Sequence, residues 1–560
     1  MPEPIGAFVL VLHSHLPYVL EHDRLEEEWL FEAVAESYLP LVQIFNRLSL
    51  RGLSPKVTIG LTPVLSDQLA DSRFAPKFLT YVEQKVRAAD EDRRGFTRRN
   101  EPHLARLASL WGEFYRRTAA FFVGELSGNI MGAFRRLQKR EAVEVLASAA
   151  THAYLPLLGL DGSVRAQIAI GAASYRRHFG TQPRGFWLPE CAYRPAGQWA
   201  PPFSDGEGVP HTQRQGIDQL LAAAGLRYFI VDARQLRSSA PDYTRHSPCR
   251  LHWVDGRGAV SDPVAMFTRD FETTARVWQH DTGYPGDPVY LEFHKKQGDG
   301  GLRYWRITDR RADLAYKQPY VPDWAFARVR MHAAHFTQVL RERLRRHRQQ
   351  TGERGVIVAA FDTELFGHWW FEGPQWVDEL LRQINADGDI TLATCREYLD
   401  ESPPQRTVQL RESSWGNGGD HRVWWQAETL PLWRDVYQAE SDMQRLTQQI
   451  GDATHEPQLT RVVRQCGREL LLLQSSDWPF MISTGSTVDH ARERFAIHYN
   501  NFQWCCALVE RSLAGETPSE EEWHRLEEME RQNGVFRRVD LGAFWRSRPS
   551  AAPTAQGAIE

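Results

Sequence analysis

Apolar residues fall along this chain in short runs that end in polar or ionisable residues. AFVLVL (7–12) runs into His13-Ser14-His15, and VTIGL (57–61) into Thr62-Pro63. VEVLASAA (143–150) runs into Thr151-His152, and GFWLP (185–189) into Glu190. RYFIV (227–231) runs into Asp232, and GVIVAAF (355–361) into Asp362. Continuous apolar runs of this length predict strands buried on both faces. Between them stand helix-like stretches such as EEWLFEAVAESYLPLVQIFNRL (27–48), VRAQIAIGAASYRRHFG (164–180) and DQLLAAAGL (218–226). Strands alternating with helices predict an α/β fold with a parallel sheet. Chemistry-bearing residues at the C-terminal strand ends predict a barrel whose active face is built there. No G-x-G-x-x-G follows the first run, which disfavours a dinucleotide-binding sheet.

The alternation breaks twice. Residues 66–140 are charged with helical periodicity and predict a helical insertion. Residues 232–310 are rich in Gly and Pro, contain TGYPGDP, and predict long loops over the active face. The barrel is expected over 1–400 and a linker at ESPPQ (401–405). A helical C-terminal domain is expected over 406–547, with VVRQCGRELLLLQ and FAIHYNNFQWCCALVERSL as helices, followed by a disordered tail over 548–560.

Composition narrows the class. Lys plus Arg number 67 against 71 Asp plus Glu, a net charge of −4 without single-sign blocks, so neither nucleic acid nor a membrane surface is indicated as partner. The six cysteines lack metal-ligand spacing, and Cys505-Cys506 read as small core residues. The N-terminus has no basic region and only a short apolar run, which predicts neither a signal peptide nor a membrane span. A soluble cytoplasmic protein, a monomer or weak dimer, is the expectation. The chain carries 19 Trp, and several stand in polar settings: Trp415 in SSWGNGGD, Trp424 and Trp425 in HRVWWQ, Trp478 in SSDWPF. Most of the 19 belong in a core. Those in polar settings suit open platforms for sugar rings.

Two carboxylates, Glu190 and Asp362, end buried runs and sit among aromatics. Facing each other across a barrel mouth, they are the equipment of a retaining glycosidase, one as nucleophile and the other as general acid and base. Burial against Trp rings beside a second carboxylate raises a carboxyl pKa. His13 and His15 alternate on one strand and point to opposite faces unless the strand has ended. An H-x-H pair with His152 also suits a metal-dependent hydrolase such as a polysaccharide deacetylase, but no third ligand stands at typical spacing. A glucan-binding protein with a dead site is the remaining alternative; it would have lost one of the acids.

HSHLPYV, THAYLPLL, GFWLPECAY, FDTELFGHWWFEG and SSDWPF, in that order, resemble the five sequence regions of glycoside hydrolase family 57, most closely its α-1,4-glucan branching enzymes. The resemblance implies an incomplete (β/α)7 barrel with a helical insertion and a C-terminal helical domain. It implies a retaining double displacement on α-1,4-glucan with no metal or cofactor, Glu190 as nucleophile and Asp362 as general acid/base. His13, His152, Arg269, Gly286 and Asp477 are implied to lie near bound glucan, and Trp278, Trp415 and Trp424 to line its groove. Hydrolysis or 4-α-glucanotransfer within the family remains the alternative outcome. One loop departs from the family pattern. Where the branching enzymes carry PxYGVYxP, this chain reads APDYTRHSPCR (240–250), with Tyr243 at the first Tyr and His246 at the second. LEFHKK (291–296) stands where REFYRD is usual. These changes bear on acceptor capture, not on the acids.

Overall fold

The computed structural model describes residues 3–201, 212–240, 242, 246–255, 263–279, 282–450 and 456–536. Seven parallel strands form its centre: β1 (Gly6–Ser14), β2 (Val57–Leu61), β3 (Val143–Ser148), β4 (Gly185–Trp187), β5 (Tyr228–Asp232), β6 (Ala265–Arg269) and β7 (Gly355–Asp362). They pair in the order β7-β1-β2-β3-β4-β5-β6. A single pairing, Val358 with Arg269, joins the two ends, so the barrel closes incompletely. Ile390–Leu392 adds a parallel partner to the start of β1, and His252–Val254 an antiparallel one to β6.

The strands are apolar on both faces because each face meets a different core. Ala7, Val9 and Val11 of β1 pack into the barrel interior with Val356, Val358 and Ala360 of β7, Ile230, and Phe267. Phe8, Leu10 and Leu12, with Ile357, Ala359 and Phe361, face the surrounding helices. Side chains alternate along a strand, so the inward series runs on to the strand ends. It reaches His13 on β1, Asp232 on β5, Arg269 on β6 and Asp362 on β7. Gly185 is required at the start of β4, where a Cβ would stand 2.2 Å from the Tyr228 ring.

The described residues among 232–310 are not all loop. They contain β6, helix α3 (Ala233–Ser239) and helix α4 (Phe271–Trp278). The strand escapes a pattern reading because its apolar part is four residues, Val264–Phe267, following GRGAVSDP. Residues 406–429 are irregular and pair with the barrel edge at Trp253 and Tyr193. Helical structure sets in at Leu430, because SSWGNGGD has no helical period. The C-terminal helices are Leu430–Ile450, Pro457–Leu473, Asp477–Thr484, Val488–Leu513 and Glu520–Gln532. The 548–560 tail and Tyr243 lie outside the described residues. No helix among the described residues is long and apolar enough to cross a membrane.

Between β2 and β3 stands a helical hairpin, α1 (Phe74–Arg98) against α2 (Pro102–Ala120), whose first helix buries Phe74, Phe78, Tyr81 and Val82 at i, i+4, i+7 and i+8. Phe31 packs on Phe74 and Phe78, and Phe371 on Trp111, and a buried polar tie adds to these contacts. Arg303 donates to Glu36 at 2.6 Å and Tyr115 to the same carboxylate at 3.1 Å, both acid and base being buried.

Candidate active site

His13 and Asp362 are register partners at the ends of neighbouring strands β1 and β7. Strand parity alone points both into the barrel mouth. Glu190 lies three residues beyond inward-facing Trp187 and would be out of step in an extended chain. The backbone corrects this with a left-handed turn, φ 60° and ψ 22° at Glu190, followed by φ 48° at Cys191. Two consecutive non-glycine residues in that region cost about 1–3 kcal/mol each, a strain characteristic of functional positions.

Trp415, from the irregular stretch before the C-terminal helices, clamps that turn. Its backbone N–H donates to the Glu190 carbonyl at 2.9 Å, and its indole N–H to Glu190 Oε2 at 2.5 Å. Its ring meets Trp187 edge-on at 5.2 Å and Trp278 at 6.4 Å. The Arg269 guanidinium covers it at 5.1 Å. Arg269 itself pairs with Asp232 at 2.9 Å, and Arg234 from α3 donates to the Trp415 carbonyl at 2.6 Å. Arg269 therefore orients the aromatic floor and places a positive charge beside Asp362.

Three imidazoles form the other wall. His13 and His15 do not point to opposite faces: β1 ends at Ser14, and the two rings lie 6.3 Å apart and nearly parallel. His152 stacks on His15 at 4.1 Å and meets His13 nitrogen to nitrogen at 3.0 Å. His15 Nε2 pairs with Asp477 at 3.0 Å, and His152 Nδ1 meets Ser476 Oγ at 2.9 Å and lies 3.9 Å from Glu190 Oε1. Ser476 and Asp477 open the helix Asp477–Thr484, so the C-terminal helices furnish part of the barrel mouth.

Burial dominates the electrostatics. It pushes Glu190 up to about 8, opposed by the Trp415 indole and reinforced by the charges of Asp362 and Asp477. It pushes Asp362 up to about 6, opposed by the charges of Arg269 and His15. Burial also drives His13 and His152 well below the usual imidazole value, so both are neutral at pH 7. Asp477 behaves oppositely: burial would raise it, but the charge and hydrogen bond of His15 hold it below the usual carboxylate range. Two raised, interacting carboxyls titrate as a pair. Between the two values the pair holds one proton, leaving one carboxylate and one carboxylic acid. We expect a bell-shaped profile of kcat/KM: below about 6 the second proton removes the carboxylate, and above about 8 no acid remains. Initial rates on amylose from pH 4 to 10 check this; a flat profile through pH 9 would contradict it.

Not every expected residue reaches the cluster. Trp424 is 1% exposed and stacked on Tyr154 at 4.4 Å, so it is core and offers no open platform. Gly286 serves close packing: Arg310 donates to its carbonyl at 2.6 Å, and a Cβ would stand 2.2 Å from the guanidinium. His246 stacks on His252 at 5.6 Å. Conversely, pattern reading missed Glu364. Its carboxylate accepts from the Tyr38 hydroxyl and from the His15 backbone N–H, and burial together with the Asp362 charge pushes it up to about 8. The available signal was position, two residues past Asp362 in the same motif.

The sequence matches the family model described as glycosyl hydrolase family 57 over residues 9–411, and the model described as 1,4-alpha-glucan branching enzyme, C-terminal, over 435–544. It is 39% identical to the 1,4-alpha-glucan branching enzyme TK1436 of Thermococcus kodakarensis over 557 residues, 97% of this chain and 79% of that protein. The crystal structure of TK1436 with glucose and additives superposes with a TM-score of 0.89, covering 97% of each chain. The GH57-type branching enzyme of Pyrococcus horikoshii gives 0.89 at 38% identity over 98% of each. The α-amylase AmyC of Thermotoga maritima gives 0.82 at 29% identity, covering 97% of this chain and all of that one.

Proposed function

The chain belongs to glycosyl hydrolase family 57, and on that premise we propose that it is a 1,4-alpha-glucan branching enzyme. The supporting observation is that likeness to branching enzymes runs the length of the chain, including the C-terminal helices that carry Asp477 to the mouth. The substrate is an α-1,4-glucan such as amylose or a glycogen-like polymer, handled in the cytoplasm as part of glycogen synthesis.

Glu190 attacks the anomeric carbon of an α-1,4 bond while Asp362 protonates the departing oxygen. Asp362 then takes the proton of a glucan 6-hydroxyl, whose oxygen displaces Glu190 and forms the α-1,6 branch with retention. The reacting state needs the shared proton on Asp362, whereas the empty site favours Glu190, whose carboxyl is the more raised. A sugar at the mouth reverses this order. Positive charge developing at the anomeric carbon favours the carboxylate form of Glu190, and a filled cleft strips water from Asp362.

The same fold carries the amylase AmyC, so the acids alone do not choose between glucan and water as acceptor. Proton NMR of amylose digests, alongside a reducing-end assay, separates the outcomes. We expect new α-1,6 anomeric signals with few new reducing ends. Rising reducing ends without α-1,6 signal would make the protein an α-glucan hydrolase.

A further inference from the structure

We propose that the groove between α3 and α4 binds the accepting α-glucan chain, an inference that rests on the branching reading above. A cavity of about 460 Å³ lies between the two helices. Both helices grow directly from the mouth. Asp232, at the end of β5, caps α3, and Arg269, its ion-pair partner at the end of β6, immediately precedes the α4 cap Asp270.

One wall of the groove, α4, grows from the strand that neighbours the one carrying Asp362. Arg269, at the end of β6 and directly before the α4 cap, pairs through its backbone with Val358 of β7, the strand that ends at Asp362. In a double displacement the leaving and accepting oxygens both meet the general acid/base, so the acceptor must lie on the side of Asp362.

The lining suits a sugar chain. Phe271 lines the groove and is 44% exposed. Trp278, two turns on along the same stripe of α4 and 40% exposed, stands beyond the lining and meets the Trp415 ring at 6.4 Å, so aromatic faces lead from the groove to the mouth. Ala275 between them keeps the groove open. Arg237 from α3 and Arg276 and Gln279 from α4 line it with hydroxyl-binding groups. His246 lines it too, and among the described residues its Nδ1 has no hydrogen-bond partner although buried. The acids at the groove, Asp270 and Glu272, are already paired with Arg343 of the helix Pro322–Thr351. Mixed donors over an apolar wall recognise a neutral polyol better than an anion. His246 thus contributes a polar contact in the groove, in the loop where the family pattern carries a Tyr.

The test uses the full chain carrying Phe271→Ala, Arg276→Ala or Ala275→Trp, the last filling the groove. On amylose, the ratio of α-1,6 bonds to new reducing ends should fall about ten-fold, the scale of one lost anchor contact. Cleavage of an aryl maltooligoside, which needs only the donor side, should stay within about two-fold of the parent. Equal loss of both activities, or loss of neither in all three variants, overturns the proposal. Unchanged melting temperatures for the two alanine variants exclude misfolding. A parent that forms no α-1,6 bonds refutes the branching reading instead. The groove is then judged by calorimetric titration of maltohexaose into Glu190→Gln. A site lost on adding Phe271→Ala supports a glucan groove, whereas no such site, or binding of inorganic phosphate in its place, overturns it.

Discussion

Glu190→Gln is expected to abolish glucan turnover, a loss on the order of 10⁴-fold or more, because the amide cannot form the glycosyl bond and nothing nearby replaces it. The neighbouring imidazoles, His13 and His152, are engaged with each other, with Ser476 and with the Trp187 face. Asp362→Asn is expected to cost about 10² to 10⁴-fold on amylose. The two losses differ in kind. With an aryl glycoside, whose leaving group needs no proton, Asp362→Asn should still form the glycosyl–enzyme and then stall, visible by mass spectrometry as one added glycosyl group. Glu190→Gln should show no adduct with any substrate. An adduct on the Gln variant, or full amylose activity in either variant, would remove these two residues from their roles. Neither substitution should much disturb the fold, since each preserves shape and side-chain length.

The second large effect concerns stability. Arg303→Met should destabilise the protein by roughly 3–5 kcal/mol, because it leaves Glu36 buried without its counter-charge. In the native protein burial would raise the Glu36 carboxyl, but Arg303 overcomes it and holds the value at about 2. A depressed carboxyl contributes stability that is fully present above its unfolded value and is lost as pH falls toward 2. In the variant the sign reverses, since an unpaired buried carboxyl is raised and gains by protonation. The deficit in melting temperature should therefore be large at pH 7 and shrink toward pH 4.5. Equal deficits at both pH values would show that lost packing over Trp111 and Phe293, not the buried charge, is what Arg303 provides. Arg303 also donates to the His368 carbonyl, so the FDTELFGHWW segment should loosen with it.

Much of the barrel was legible because its strands are buried on both faces and therefore read as unbroken apolar runs. The inward set at the mouth was legible in the same way: Ala7, Val9, Val11 and then His13; Val356, Val358, Ala360 and then Asp362. What failed to show were features without a period. Strand β6 is too short to stand out from Gly-rich surroundings. Trp424 shares its polar neighbourhood with Trp415, yet one is buried and the other holds Glu190, a difference set by Tyr154 and Gly416 closing over the first. Glu190 itself points inward only because its backbone turns left-handed, which an apolar–polar pattern cannot encode. The His15–Asp477 pair joins residues 462 apart, and no local spacing announces it.

That pair, with Ser476 on His152 and Trp415 on Glu190, spreads one reaction centre over both ends of the chain. A ribosome makes the N-terminal residues first, and domains tend to fold as they emerge. Glu190 and Asp362 would both be synthesised, and the barrel could already have closed, before Ser476 and Asp477 exist. During that interval the nascent enzyme has its acids but neither the anchor for His15 nor the partner of His152. Arrival of the last helices thus acts as a completion signal, and a chain cut short before residue 475 would be left with an unfinished histidine wall at the barrel mouth.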